Sequence, residues 1–165
     1  MKRFLTGILT CALAIAALPT VVDASAGRTQ IWSAIPAVCP GQSAKAAVRG
    51  YYAAVVRHDA RRAKACLTPY YAQQLARVIG PDWQNVATLR SLKVTEAKAL
   101  PHDTLPGNVP SALARPYAFV QVDAEFIVHY YRIISSSNGL TIRFIYVVKQ
   151  HRTSPWRIAA IGSGP

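Results

Sequence analysis

From Val120 the chain alternates. Val120, Val122, Ala124, Phe126, Val128 and Tyr130 fall on one side of an extended segment, while Gln121, Asp123, Glu125 and His129 fall on the other. A period of two marks a strand with one face in a core and one in water. A second run repeats the device, with Ile142, Phe144, Tyr146 and Val148 set against Thr141, Arg143 and Lys149. Asn138-Gly139 between the runs tolerates positive φ, which predicts a tight hairpin. After Thr153-Ser154-Pro155, the segment Trp156 to Ile161 adds a last strand. The stretch from Tyr117 to Ile161 therefore predicts three antiparallel strands.

Ahead of this sheet the period changes. Behind Ser43, a plausible N-cap, the residues Ala44, Ala47, Val48, Tyr51, Tyr52, Val55 and Val56 recur three and four apart, the apolar stripe of an amphipathic helix. His58-Asp59 interrupts the stripe. Asp59 is placed to cap a second helix that buries Ala60, Ala63 and Leu67 and stops at Pro69. Tyr70 to Val78 predicts a third, closed by Gly80-Pro81, and Asp82-Trp83-Gln84-Asn85 reads as a turn. In Leu89 to Leu100, Leu92 and Val94 alternate with Lys93 and Thr95, which predicts a strand. Pro101, Pro106, Gly107, Pro110 and Pro116 then punctuate a long surface loop.

A length of 165 residues suits one domain. Its N-terminus reads as a leader: Lys2-Arg3, an apolar run from Phe4 to about Val22, and the small residues Ala24-Ser25-Ala26 predict a signal peptide over residues 1–26, cleaved after Ala26. An uncleaved anchor is the alternative, weakened by Thr6, Gly7, Thr10, Pro19 and Thr20. Residues 27–42, with Pro36, Pro40 and Gly41, read as an extended entry to a single domain over 43–165. Removing the leader leaves Cys39 and Cys66, and an even pair in an exported chain is most simply a disulfide; two buried free thiols are the alternative.

Charge changes the picture further. The chain carries a formal +12; Lys2, Arg3 and Asp23 contribute +1 of this, which leaves +11 after cleavage. The balance favours anionic surroundings such as acidic lipid or wall polymer. Its densest cluster, Arg57, Arg61, Arg62 and Lys64, has no aromatic stacking platform, so nucleic acid is not expected as a partner. No clustered His, Cys or carboxylate set, Gly-rich phosphate loop or Ser elbow stands out, and neither a metal nor a cofactor is expected.

The order of elements, with Tyr51-Tyr52 through His58-Asp59 in the helical pair and Trp156-Arg157-Ile158 leading to Gly162-Ser163-Gly164-Pro165, resembles the nuclear transport factor 2-like superfamily. It is most similar to small secreted bacterial members without an assigned function. The resemblance implies an α+β fold in which N-terminal helices pack on a strongly bent antiparallel sheet, like a cone. It also implies a space beneath the sheet that relatives use for isomerase, dehydratase or cyclase chemistry, for ligands, or only for packing. Tyr51, Tyr52, Tyr130 and Tyr146 are the candidates to line such a pocket, or to fill it as core. Asp123, Glu125 and His129 fall on the outer face, which leaves His58 and Asp59 as weak acid-base candidates beside Asp59's capping role. The expectation is a secreted, non-catalytic domain that binds a small apolar or amphipathic ligand or an envelope protein. An isomerase- or cyclase-like enzyme and a basic module adhering to an anionic surface are the alternatives. A homodimer through the outer face, with Gln121, Asp123, Ile127, Arg143, Ile145 and Val147, is a further possibility.

Overall fold

The computed structural model describes residue 39 and residues 42–77, 80–101, 116–134 and 137–163, apart from the side chains of residues 96–98. The expected leader, most of the entry segment and nearly all of the proline-punctuated loop with His102 lie outside these residues. The described chain is α+β. Helices α1 (Ala44–Val56), α2 (Ala60–Ala65), α3 (Pro69–Ala76) and α4 (Asp82–Asn85) precede strands β1 (Val86–Ala99), β2 (Ala118–Tyr130), β3 (Gly139–Lys149) and β4 (Arg157–Ser163). The strands form one antiparallel sheet in sequence order.

Local chemistry explains the helical boundaries. Ser43 caps α1, its Oγ accepting from the Ala46 amide at 3.2 Å. The helix ends on His58 at φ +53, with the His58 amide bonded to the Val55 carbonyl and the Asp59 amide to the Ala54 carbonyl. These two reversed bonds, around a left-handed residue that is usually glycine, satisfy the last carbonyls of the helix. Asp59 then caps α2, accepting from the Arg62 amide at 3.0 Å. Thr68 caps α3, with Pro69 at the first helical position. Asp82–Asn85, expected as a turn, is a short helix, and Val56, expected in the stripe, is exposed.

Helix α1 touches all four strands. Its Ala47, Val48, Tyr51, Tyr52 and Val55 are buried in one cluster with Val122, Ala124, Phe126, Val128, Ile145, Val147 and Ile158. β2 faces this core as its alternation requires. β3 does not: Val122 pairs with Ile145, Ala124 with Arg143 and Phe126 with Thr141. Cross-strand partners share a face, so Thr141, Arg143, Ile145 and Val147 point toward α1. This corrects the expected orientation of β3, and the cause is that both of its faces are apolar. Ile142, Phe144, Tyr146 and Val148 take the other side, where Val148 joins Phe119, Ala159 and Tyr146 in a second, smaller cluster.

Three irregularities interrupt the pairing of β1 with β2. At one of them Ser91 and Leu92 oppose Phe126 alone, and Ser91 takes φ +56, as at a bulge that kinks its strand. The link between β2 and β3 is longer than a tight hairpin. It runs through residues 131–138 and is tied at its base by the Asn138 side chain, whose Oδ1 accepts from the Tyr130 amide at 2.8 Å. Gly139 takes φ +116.

Two further ties join the helical segment to the rest. Cys39 and Cys66 are bonded as a disulfide. The segment at Cys66–Thr68 runs beside β4, with the Ile158 amide bonded to the Cys66 carbonyl and the Thr68 amide to the Ile158 carbonyl, both at 2.8 Å. Arg157 completes the seam, its guanidinium donating to the carbonyls of Ala65 and Leu67.

Candidate functional site

The wide buried sector of α1 places two adjacent tyrosines under the sheet, and they diverge. Tyr52 leans on Phe126 of β2 with ring centroids 4.8 Å apart. Tyr51 meets it edge-on at 5.2 Å and turns toward α4, where its hydroxyl donates to Asp82 Oδ2 at 3.2 Å. From the sheet side, Arg143 donates to the Tyr130 hydroxyl at 3.2 Å. Tyr71 of α3 accepts from the Ile161 amide at 3.1 Å. Five elements thus bring tyrosines, one carboxyl and one guanidinium into or against the main core.

Electrostatics follows from this enclosure. Burial pushes the Asp82 carboxyl above its ordinary range, against the opposing pull of Arg143 and the Tyr51 hydrogen bond. Burial is also the main reason that Tyr51 and Tyr52 sit well above the ordinary phenol value, with the Asp82 charge adding to both. Tyr71 is pushed up to about 12, again chiefly by burial. For Arg143, burial works against the charge, but the Tyr130 hydrogen bond and the nearby Asp82 outweigh it and the net direction is upward.

One atom stands apart. The Tyr52 hydroxyl is fully buried and no group among the described residues hydrogen bonds to it. It lies within electrostatic reach of both Asp82 and Arg143. An unsatisfied buried polar group costs about 1 to 3 kcal/mol, so the arrangement leaves one donor-acceptor available beside an acid and a guanidinium. Chemically, Asp82 with Tyr51 can hold or share a proton.

The other expected residues fall elsewhere. Tyr130 joins the set through Arg143, whereas Tyr146 stacks on Phe119 at 5.9 Å on the opposite face of the sheet; the orientation of β3 takes it away from Tyr51 and Tyr52. His58 is exposed at the end of α1, its Nδ1 donating to the Trp83 carbonyl at 3.2 Å and its ring 6.0 Å from Tyr131. Asp59 is engaged with the Arg62 amide and guanidinium. Neither residue hydrogen bonds to the tyrosine-acid group. On the outer face Glu125 pairs with Lys93 at 3.1 Å, and Asp123 accepts from Gln121 at 2.9 Å. No group of three or more His, Cys, Asp or Glu among the described residues could hold a metal.

Asp82, Arg143 and Tyr71 are the members that the pattern did not single out. A lone carboxylate beside Trp83, between a Gly-Pro break and a strand, is the signal that could have marked Asp82. For Arg143 the signal was the β-branched pair Ile145 and Val147 in phase with it.

Residues 45–162 match the family described as "Domain of unknown function (DUF4829)", and the chain belongs to that family. No curated protein and no solved structure matches it. The small antiparallel sheet with its helices is compatible with a nuclear transport factor 2-like fold.

Proposed function

We propose that this protein is a secreted, nuclear transport factor 2-like domain, released by cleavage near Ala26, that binds a small amphipathic ligand beneath its sheet. The ligand's polar group meets the Tyr52 hydroxyl, Asp82 and Arg143, and its apolar part packs among the side chains of α1 and β2. The observation that carries this reading is the buried Tyr52 hydroxyl, without a partner among the described residues, within electrostatic reach of a half-buried acid and a guanidinium. A ligand that bonds this hydroxyl removes the cost of leaving it unmade. The test is native mass spectrometry of protein exported by a host, wild type beside Tyr52→Phe and Asp82→Asn. A retained small molecule that either substitution releases supports the proposal. A ligand-free spectrum for wild type, together with no thermal stabilisation by a panel of amphipathic acids and alcohols, overturns it.

A second reading, an isomerase- or cyclase-like enzyme, has its own support in the raised Asp82 carboxyl hydrogen bonded to Tyr51. A poised acid of this kind suits proton transfer. Exchange of solvent deuterium into a recovered ligand, abolished in Asp82→Asn, would favour it over simple binding.

A further inference from the structure

The end of the molecule formed by the β2–β3 connection carries an apolar group that remains largely exposed. Tyr131 is 65% exposed, Ile133 67% and Ile134 51%, and Leu140, at the start of β3, is 69% exposed. Scattered exposed apolar residues are ordinary in folded proteins; three in a four-residue run, with Leu140 across the hairpin, are not. Ile127, itself exposed, pairs with Leu140 and extends the group onto the outer face of the sheet.

This run is held in shape. The Tyr131 amide donates to the Asn85 carbonyl at 2.8 Å, the Arg132 amide to Asn85 Oδ1 at 3.0 Å, and Asn85 Nδ2 to the Arg132 carbonyl at 2.9 Å. Ile134 reaches back against Gly80, whose missing side chain leaves it room: a Cβ there would lie 3.0 Å from Ile134 Cδ1. The backbone at Tyr131 and Arg132 is therefore tied to α4.

Charge indicates what covers them. Arg132 sits inside the run, with its side chain exposed. Arg57 adjoins His58, whose ring faces Tyr131, and Arg77 lies three residues before Gly80. The two carboxylates on the neighbouring segments are engaged, Asp59 with Arg62 and Asp82 with Tyr51. Apolar tips interleaved with arginine, on a chain of formal charge +12, match the boundary between acyl chains and acidic headgroups. There isoleucines bury their side chains, tyrosine straddles the interface, and guanidinium groups meet phosphate. A second copy of this chain would bring like charge against like.

We infer that the β2–β3 end, through Tyr131, Arg132, Ile133, Ile134 and Leu140, docks the protein on an anionic lipid membrane. This surface is separate from the tyrosine-acid group, so the inference stands or falls apart from the ligand proposal.

The test is co-sedimentation of the host-exported chain with vesicles of phosphatidylcholine alone and of phosphatidylcholine with phosphatidylglycerol, across a salt series. Three variants, Ile133→Ser with Ile134→Ser, Arg132→Gln, and Tyr52→Phe as control, are run beside it. All share the same N-terminus, so any contribution from the apolar run there drops out of the comparison. Wild type is expected to bind the phosphatidylglycerol vesicles in preference, with a part that persists at high salt. The double isoleucine variant loses that part and at least about tenfold in affinity, a factor that the full burial of one isoleucine supplies. Arg132→Gln loses about fivefold, and Tyr52→Phe loses nothing. Absence of binding, equal binding to both vesicles, or unchanged binding by the double variant overturns the inference. So does a dimer in solution that the double variant dissolves, since a second copy would then cover the tip.

Discussion

Tyr51, near the middle of the first helix, donates its hydroxyl to Asp82, 31 residues later, across 3.2 Å. The bond ties α1 to the short turn of helix that launches the sheet. It also holds a half-buried carboxyl whose desolvation favours the protonated form, with Arg143 and the Tyr51 hydrogen bond pulling the other way.

Asp82→Asn is expected to flatten the pH dependence of stability. The folded-state value of Asp82 is raised, so the native protein holds a proton that the unfolded chain releases above the ordinary value of 3.8. The favourable contribution is present below that pH and is lost as pH rises through the folded-state value. Denaturant titrations across the acid range should show this falling limb in wild type and not in the variant. A limb of equal slope in Asp82→Asn would assign it to another group.

Alkaline titration reads the tyrosines in the same way. The folded-state values of Tyr51, Tyr52 and Tyr71 all lie above the unfolded phenol value, Tyr71 at about 12. Stability is thus retained below pH 10 and falls as pH rises through the folded-state values. Phenolate absorbance should show these three ionising late, in step with loss of the fold. Tyrosines that all titrate together near 10 in a folded protein would contradict the buried cluster.

Tyr52→Phe is expected to stabilise the ligand-free protein by about 1 kcal/mol, because it removes a buried hydroxyl with no partner among the described residues while keeping the ring against Phe126. Chemical denaturation checks this. A loss of stability would indicate a hydrogen bond at that hydroxyl.

Reducing the Cys39–Cys66 bridge, which spans a sequence separation of 27, should cost about 3 to 4 kcal/mol through the freed entropy of the unfolded chain. Thiol counting before and after denaturation, with melting in the presence and absence of reductant, measures it.

Much of this fold was legible because its signals are short-range. Ser43 and Asp59 cap the helices that follow them, the period-three-and-four stripe buries Tyr51 and Tyr52, and the alternation from Val120 faces the core as its pattern requires. β3 was not legible. Its two faces are both apolar, so pattern alone left two orientations nearly equal, and the pairing of Ala124 with Arg143 is a tertiary outcome. That single half-turn decided the candidate site: it brought Arg143 in and took Tyr146 out. The length of the β2–β3 connection escaped for a related reason. Asn138-Gly139 does sit at the base of the turn, but Asn85, far back in the chain, holds the other end of the loop by its amide.

The seam between Cys66–Thr68 and β4 has a consequence for how the chain folds. Ile158 and Arg157 are bonded to residues about ninety positions earlier, so the helical segment waits for the last strand before its carbonyls at Ala65, Cys66 and Leu67 find these partners. Closing a loop of that length is slow compared with forming the sequential hairpins of the sheet, so this seam is expected to form late in folding.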